Sequence, residues 1–268
     1  GVSLPDVGSS YYVRMNGSQS GIDPYTRAVS DIYQDIFEEG SFIGKGIYDV
    51  DVFEKALDEK FPENRILSHD LLEGCYVRSG LLSDVQLYEK YPARYLADMQ
   101  RRHRWIRGDW QIAAWVLPFV PGADFSWHLN PISLLSRWKI FDNIRRSLVA
   151  IALTVFIILG WAVLPGAGWW TLIITAIIII PSLFSPLWNL FLKPKDVIFR
   201  HHIILTGNAV GNTALELLFY VICLPYEAFN TLNAILKTTW RMIISRRHLL
   251  EWQPTGTCLL YTSPSPRD

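Results

Sequence analysis

The sequence predicts an α/β part followed by an α-helical membrane region, and three observations carry that expectation. Residues 1–110 mix charged and apolar positions. Residues 148–192 are long uncharged runs of Ile, Leu, Val and Trp. A Pro165-Gly166-Ala167-Gly168 turn divides those runs into two stretches, each long enough to cross a bilayer. With 50 % hydrophobic residues and 11 Trp among 268, the chain is too apolar for an ordinary soluble enzyme, so its net charge of zero averages two different solvents. Cys75, Cys223 and Cys258 are odd in number and far apart, which supports neither a disulfide framework nor a zinc site and fits a reducing compartment.

Five segments are expected: a mixed part at 1–110, interfacial or juxtamembrane helices at 111–146, a transmembrane hairpin at 147–192, interfacial or re-entrant membrane-associated helices at 193–253, and a tail at 254–268. The residues from Cys258 to Asp268 can be back-translated to one reading frame of a transposon-end sequencing adapter, so this Pro/Ser-rich tail is expected to be an adapter artefact or a disordered tail with no part in the fold. The chain opens on Gly1, in what reads as the middle of a domain, so a piece cut at both ends is expected.

Within the first part, residues 1–20 read as loops around one short strand. Ala28, Val29, Ile32, Ile36 and Phe37 fall near helical spacing between Pro24 and Gly40, predicting an amphipathic helix. After Gly44-Lys45-Gly46, residues 47–50 read as a short strand. Asp49-Val50-Asp51 has the form of a metal-binding D-x-D, but Asp51 with Glu54 also makes a capping box ahead of Phe53, Ala56 and Leu57, and the cap is the favoured reading. Residues 84–91 read as a turn or strand, and 93–105 as a helix with Tyr95, Leu96 and Met99 on one face.

Two clusters in 66–110 carry chemistry. Ser68-His69-Asp70 supplies an acid able to take a hydroxyl proton, and Arg101-Arg102-His103-Arg104-Trp105 supplies cations and an aromatic face able to hold a diphosphate and a sugar ring. Each has a structural alternative. Asp70 and Glu73 also have capping-box spacing, and Arg101, Arg102, Arg104 and Arg107 also read as juxtamembrane cations drawn to anionic lipid. No nucleic-acid partner is expected, because nothing else in the soluble part forms a basic face.

At these residues the sequence resembles processive, inverting family-two-like glycosyltransferases of bacterial membranes, whose second half carries T-E-D and then Q-x-x-R-W. Here those positions read Ser68-His69-Asp70 and Arg101-x-x-Arg104-Trp105. The departures suit the cyclic β-1,2-glucan synthases, as do Pro5-Asp6-Val7-Gly8-Ser9, Gly44-Lys45-Gly46-Ile47-Tyr48-Asp49-Val50-Asp51 and Leu249-Leu250-Glu251-Trp252. The resemblance implies that 1–110 is the C-terminal half of a GT-A-like catalytic domain. It implies transfer of glucose from UDP-glucose to a growing β-glucan acceptor with inversion, at the bacterial inner membrane, with several spans and the catalytic part cytoplasmic. It also implies roles: Asp70 as base, Arg101 and Arg104 on the diphosphate, Trp105 against the acceptor sugar or packing on the membrane, and His69 bonding the acceptor, orienting Asp70 or acting structurally. A magnesium or manganese ion is implied too, with ligands expected upstream, so that the piece alone is expected to be inactive. A synthase of another linkage, and a non-enzymatic membrane transporter or scaffold, remain alternatives; the second has no use for Asp70 together with Arg101-x-x-Arg104-Trp105.

In the membrane part, residues 108–120 carry Trp110, Trp115, Leu117 and Phe119, too short a run to cross but suited to the bilayer interface. Spans are predicted at 147–164 and 169–192, with kinks at Pro181 and Pro186. Arg137, Lys139, Arg145 and Arg146 before the hairpin, and Lys193, Lys195 and Arg200 after it, assign both ends to the cytoplasm. Residues 203–224 are apolar but hold Asn208, Asn212 and Glu216, which favours an interfacial or re-entrant helix pair over a span.

Overall fold

The computed structural model describes residues 10–17, 32–42, 44, 46–67, 70–82, 91–192 and 198–251. The expectations for 1–9, for 84–90, for His69 and for the tail at 254–268 lie outside the described residues.

The first half is built of short helices: α1 (Tyr11–Gly17), α2 (Ile32–Phe37), α3 (Val50–Leu57) and α4 (Asp70–Val77), followed by the 17-residue α5 (Tyr95–Gln111). The strand expected at 47–50 does not form. Ile47 and Tyr48 are exposed, no strand among the described residues covers them, and the chain instead enters α3 through an extended Asp49. The Asp49 carboxylate accepts the N–H groups of Asp51 and Val52 at 3.0 and 3.1 Å. The helix cap is therefore real but sits on Asp49, two residues before the box expected on Asp51. Among the described residues the only sheet is a two-stranded antiparallel hairpin, β1 (Phe119–Pro121) and β2 (Trp127–Leu129), pairing Val120 with His128.

Helix α5 runs six residues beyond the expected Trp105, because Arg107, Gly108 and Gln111 are buried and tertiary contacts continue it. A 3₁₀ turn at Ala113–Val116 then leads into the hairpin. Of the residues expected at the bilayer interface here, Leu117 and Phe119 are exposed, but Trp115 is 1 % exposed, and with Ile112 and Val120 it joins Leu72 and Cys75 of α4, Ile132 and Ile140 in one core. The indole N–H of Trp115 donates to Tyr76 Oη at 3.1 Å, so its polar end needs no lipid-water boundary.

Among the described residues, three helices are long and apolar enough to cross a membrane by length and composition. The first, α6 (Leu134–Ala162), is capped by Ser133, whose hydroxyl accepts from Ser136 N–H, and begins well before the expected span. Its first turns belong to the soluble core through Ile140. The chain reverses at Gly166, whose φ of 77° lies in the left-handed region glycine tolerates, and α7 (Ala167–Phe191) follows with Pro181 and Pro186 inside it. The helix pair expected across 193–253 is instead one continuous 42-residue helix, α8 (Phe199–Trp240), about 63 Å long at 1.5 Å per residue. It survives Pro225 because Leu224 and Ala228 on either side of the proline pack with Ala150 and Leu153 of α6 and Ile174 of α7. A π turn at Arg241–Ser245 ends it, with Arg246 in the left-handed region.

Two of the cations used to orient the hairpin are structural. Lys139 is 3 % exposed; its ammonium meets Glu39 Oε1 at 3.2 Å and donates to the Gly40 carbonyl at 2.9 Å. Arg137 donates twice to the Val116 carbonyl. Local sequence has no means of pairing Lys139 with a carboxylate a hundred positions away.

Candidate sugar-transfer site

Asp70 is the first residue of α4 and is exposed. The loop before α3 lies directly on this helix: a Cβ on Gly74 would meet Phe42 Cβ at 2.5 Å, and one on Gly44 would meet Asp70 Oδ2 at 2.6 Å. Phe42 and Gly44 thus pack over two positions one helical turn apart. Gly44 has a φ of +80°, and its backbone closes against the carboxylate in space that no side chain leaves. The word Gly44-Lys45-Gly46 carried no role in the sequence reading; the role of Gly44 is visible only with Asp70 beside it.

The cations come from α5. Burial lowers the Arg104 guanidinium's pKa, as does Arg101 beside it, while Asp70 pulls it the other way. The structure therefore brings Asp70 and Arg104, from separate helices, within electrostatic reach of each other. Trp105 is 38 % exposed, and the Arg101 guanidinium carbon lies over its ring at 4.8 Å and over the Tyr91 ring at 5.1 Å. His69 lies outside the described residues.

Arg101 is held from behind by a residue the sequence reading did not single out. Asp98 is fully buried, and its two oxygens divide the neighbouring cations between them. Oδ1 takes Arg101 Nη2 at 2.5 Å; Oδ2 takes Arg102 Nε at 3.0 Å and the Tyr12 hydroxyl at 2.9 Å. Burial, then Asp98, raises the Tyr12 pKa, so Tyr12 keeps the proton it donates. Desolvation opposes the Arg102 charge, but Asp98 and Glu227 outweigh it and raise its pKa. Arg102 also meets Glu227 of α8 at 3.6 Å. The signal for this network was present: Asp98 stands three and four residues before Arg101 and Arg102, the spacing of neighbours on a helix.

Below the site, α5 clasps the segment after α8. Arg107 donates to the carbonyls of Glu251 and Leu249 at 3.0 and 3.2 Å. Gln111 donates to the Leu249 carbonyl at 3.0 Å while accepting the N–H of Leu67 at 2.6 Å. Arg65 donates to the Met242 carbonyl, and Arg241 pairs with Glu251 at 2.6 Å. The strand of chain that delivers Asp70 is thus tied to the end of the membrane helix.

Among the described residues, no group of three or more His, Cys, Asp and Glu is placed to hold a metal ion. The D-x-D-like word does not supply one, since the Asp49 carboxylate is engaged by two backbone amides.

No protein-family model matches the chain. Over 248 residues, covering 91 % of this chain, it is 37 % identical to the cyclic beta-(1,2)-glucan synthase NdvB of Rhizobium meliloti (strain 1021). By that likeness the chain is related to the cyclic β-(1,2)-glucan synthases, and it spans about 8 % of the length of the curated relative it matches.

Proposed function

We propose that this chain contributes the acceptor side of a membrane glycosyltransferase that transfers glucose from UDP-glucose, with inversion, to a growing β-1,2-glucan. In this reading a donor side completes, with this stretch, a GT-A-like domain on the cytoplasmic face of a bacterial inner membrane. The observation that supports it is the electrostatic influence of Asp70 on Arg104 across two helices, with an exposed Trp105 on the same helix as Arg104.

The chemistry follows from those positions. As the acceptor 2-hydroxyl oxygen attacks the anomeric carbon, Asp70 takes its proton, a contribution of about 10² to 10⁴ in rate for a well-placed base. The bond to UDP breaks on the opposite side, and the charge gathering on the diphosphate is met by Arg104, with Arg101 behind it; guanidinium forks match phosphate oxygens in pairs. Trp105 offers its exposed face to the acceptor ring. The divalent ion of the proposal, magnesium or manganese, would offset the same diphosphate charge, and the described residues offer it no ligand set.

The test is Asp70→Asn in a full-length synthase carrying this stretch. Glucose incorporation from UDP-glucose is expected to fall at least 10²-fold with membrane insertion intact, and substantial residual synthesis removes Asp70 as base. Linkage analysis of the product separates β-1,2 from other synthases.

A further inference from the structure

We propose that Asp98 is the positioning residue of the transfer site: its single buried carboxylate holds Arg101 in its aromatic slot and, through Arg102 and Glu227, ties that slot to the membrane helix α8. The inference rests on the proposed diphosphate role of the α5 cations and adds to it a residue that touches no substrate.

The division of labour within the carboxylate carries the argument. A carboxylate buried without compensation is strongly disfavoured, yet Asp98 is fully buried beside two arginines and a tyrosine hydroxyl. Each oxygen points a different cation in a different direction. Oδ1 grips Arg101 by Nη2 alone, leaving the planar face of the guanidinium over Trp105 and Tyr91. Arg101 Nε is buried and has no hydrogen-bond partner among the described residues, an orphaned donor in the slot. Oδ2 grips Arg102, whose other contact is Glu227 on α8. Further ties fix the same helix pair: Asn230 of α8 donates to the Met99 carbonyl at 3.3 Å, and Asn233 meets His103 Nε2 at 3.2 Å. Tyr95 sets its ring edge-on to Phe219 of α8, 5.2 Å between centroids. A displacement of α8 relative to α5 would therefore be transmitted to the carboxylate that aims Arg101.

The experiment is a double-mutant cycle on kcat/KM for UDP-glucose in a full-length synthase carrying this stretch, using Asp98→Asn, Arg101→Lys and the double variant, normalised to folded protein. UDP inhibition constants give a second readout that a general folding role would not move selectively. Asp98→Asn is expected to lower kcat/KM 10- to 100-fold and to weaken UDP inhibition in parallel. The double variant is expected to be within about threefold of Arg101→Lys alone, because Asp98 acts through Arg101. If the two losses multiply, or UDP inhibition is unchanged in Asp98→Asn, the positioning role is overturned. Should Asp98→Asn not fold, Tyr12→Phe, which removes one donor and keeps every charge, replaces it in the same cycle: a 2- to 5-fold loss absent from the Arg101→Lys background supports the proposal, and an unchanged or additive rate overturns it. If instead Arg101→Lys alone leaves both readouts at wild-type values, the diphosphate role fails first, and Asp70→Asn still reports separately on the transfer reaction.

Discussion

Gln111 and Leu67 are joined by a 2.6 Å hydrogen bond from the Leu67 N–H to the Gln111 side-chain carbonyl, and the same amide donates to the carbonyl of Leu249. One fully buried side chain thus holds both the approach to Asp70 and the segment after the membrane helix. Replacing it by Leu leaves the Leu67 N–H unsatisfied, at about 1–3 kcal/mol where buried, while the Leu249 carbonyl keeps its bond from Arg107. Gln111→Leu is expected to lower the melting temperature of the detergent-purified chain by several degrees and to reduce transfer in a full-length synthase, because Asp70 is three residues from Leu67. A melting temperature within 1 °C of wild type, roughly the resolution set by a few tenths of a kcal/mol, would show the two segments to be held by other contacts.

Gly44 offers a sharper probe of Asp70 in its proposed role as base. It is exposed, so a methyl there disturbs little packing, but that methyl would sit 2.6 Å from Asp70 Oδ2. The left-handed backbone adds about 1–2 kcal/mol of strain for any residue with a Cβ. Gly44→Ala is expected to lower kcat about tenfold or more, by swinging the carboxylate off its line to the acceptor hydroxyl, while the protein remains folded. Steady-state assays with purified synthase decide this: unchanged kcat would mean that the loop does not set the Asp70 orientation.

Motif words place residue types in a fixed order, which is why the Asp70 and Arg101–Trp105 clusters stand out in the sequence, and Asp70 does raise the pKa of Arg104 from a separate helix. What was not legible depended on partners distant in the chain. Asp98 among arginines reads as a surface helix charge until Tyr12 and Arg102 close over it, and Lys139 reads as a headgroup cation until Glu39 appears beside it. Trp115 has the composition of an interfacial anchor, and only the Tyr76 hydroxyl makes the core the better place for it. Asn208, Asn212 and Glu216 suggested a broken helix between 193 and 253, but polar side chains do not interrupt backbone hydrogen bonding. Packing on both sides of Pro225 carries α8 through the one residue that does.

Asp109 gives the protein a pH dependence with a definite sign. Burial pushes its carboxyl up to about 6 from an ordinary 3.8, against the lowering effects of the Asn143 amide, which donates to Oδ1 at 3.1 Å, and of Arg146. A raised folded pKa means the folded state binds the proton more tightly than the unfolded chain. The associated stability is therefore present below pH 4 and lost as pH rises through 6. At about 1.4 kcal/mol per unit, the effect is on the order of 3 kcal/mol. In thermal melts of the detergent-purified chain between pH 4.5 and 7.5, Asp109→Asn is expected to be the more stable protein at pH 7.5, with the difference shrinking toward pH 4.5. A difference constant across that range would mean Asp109 does not titrate there.

The Glu39–Lys139 pair decides between two descriptions of where α6 begins. If Lys139 were a cation facing lipid headgroups, removing its charge would weaken membrane association and leave folding nearly untouched, since an exposed pair or cation contributes at most about 1 kcal/mol. The structure instead buries it against Glu39, with Ser136 Oγ donating to the same carboxylate at 2.9 Å. Lys139→Met strands Glu39 as an uncompensated buried charge, at a cost of about 3–5 kcal/mol. Glu39→Gln removes that charge while keeping an oxygen for Ser136, so Glu39→Gln/Lys139→Met is expected to recover part of the loss, and the Gly40 carbonyl, left without its ammonium donor, limits the rest. Denaturant titrations of the single and double variants measure the recovery directly. A double variant no more stable than Lys139→Met would mean that the lysine stabilises α6 without acting through Glu39.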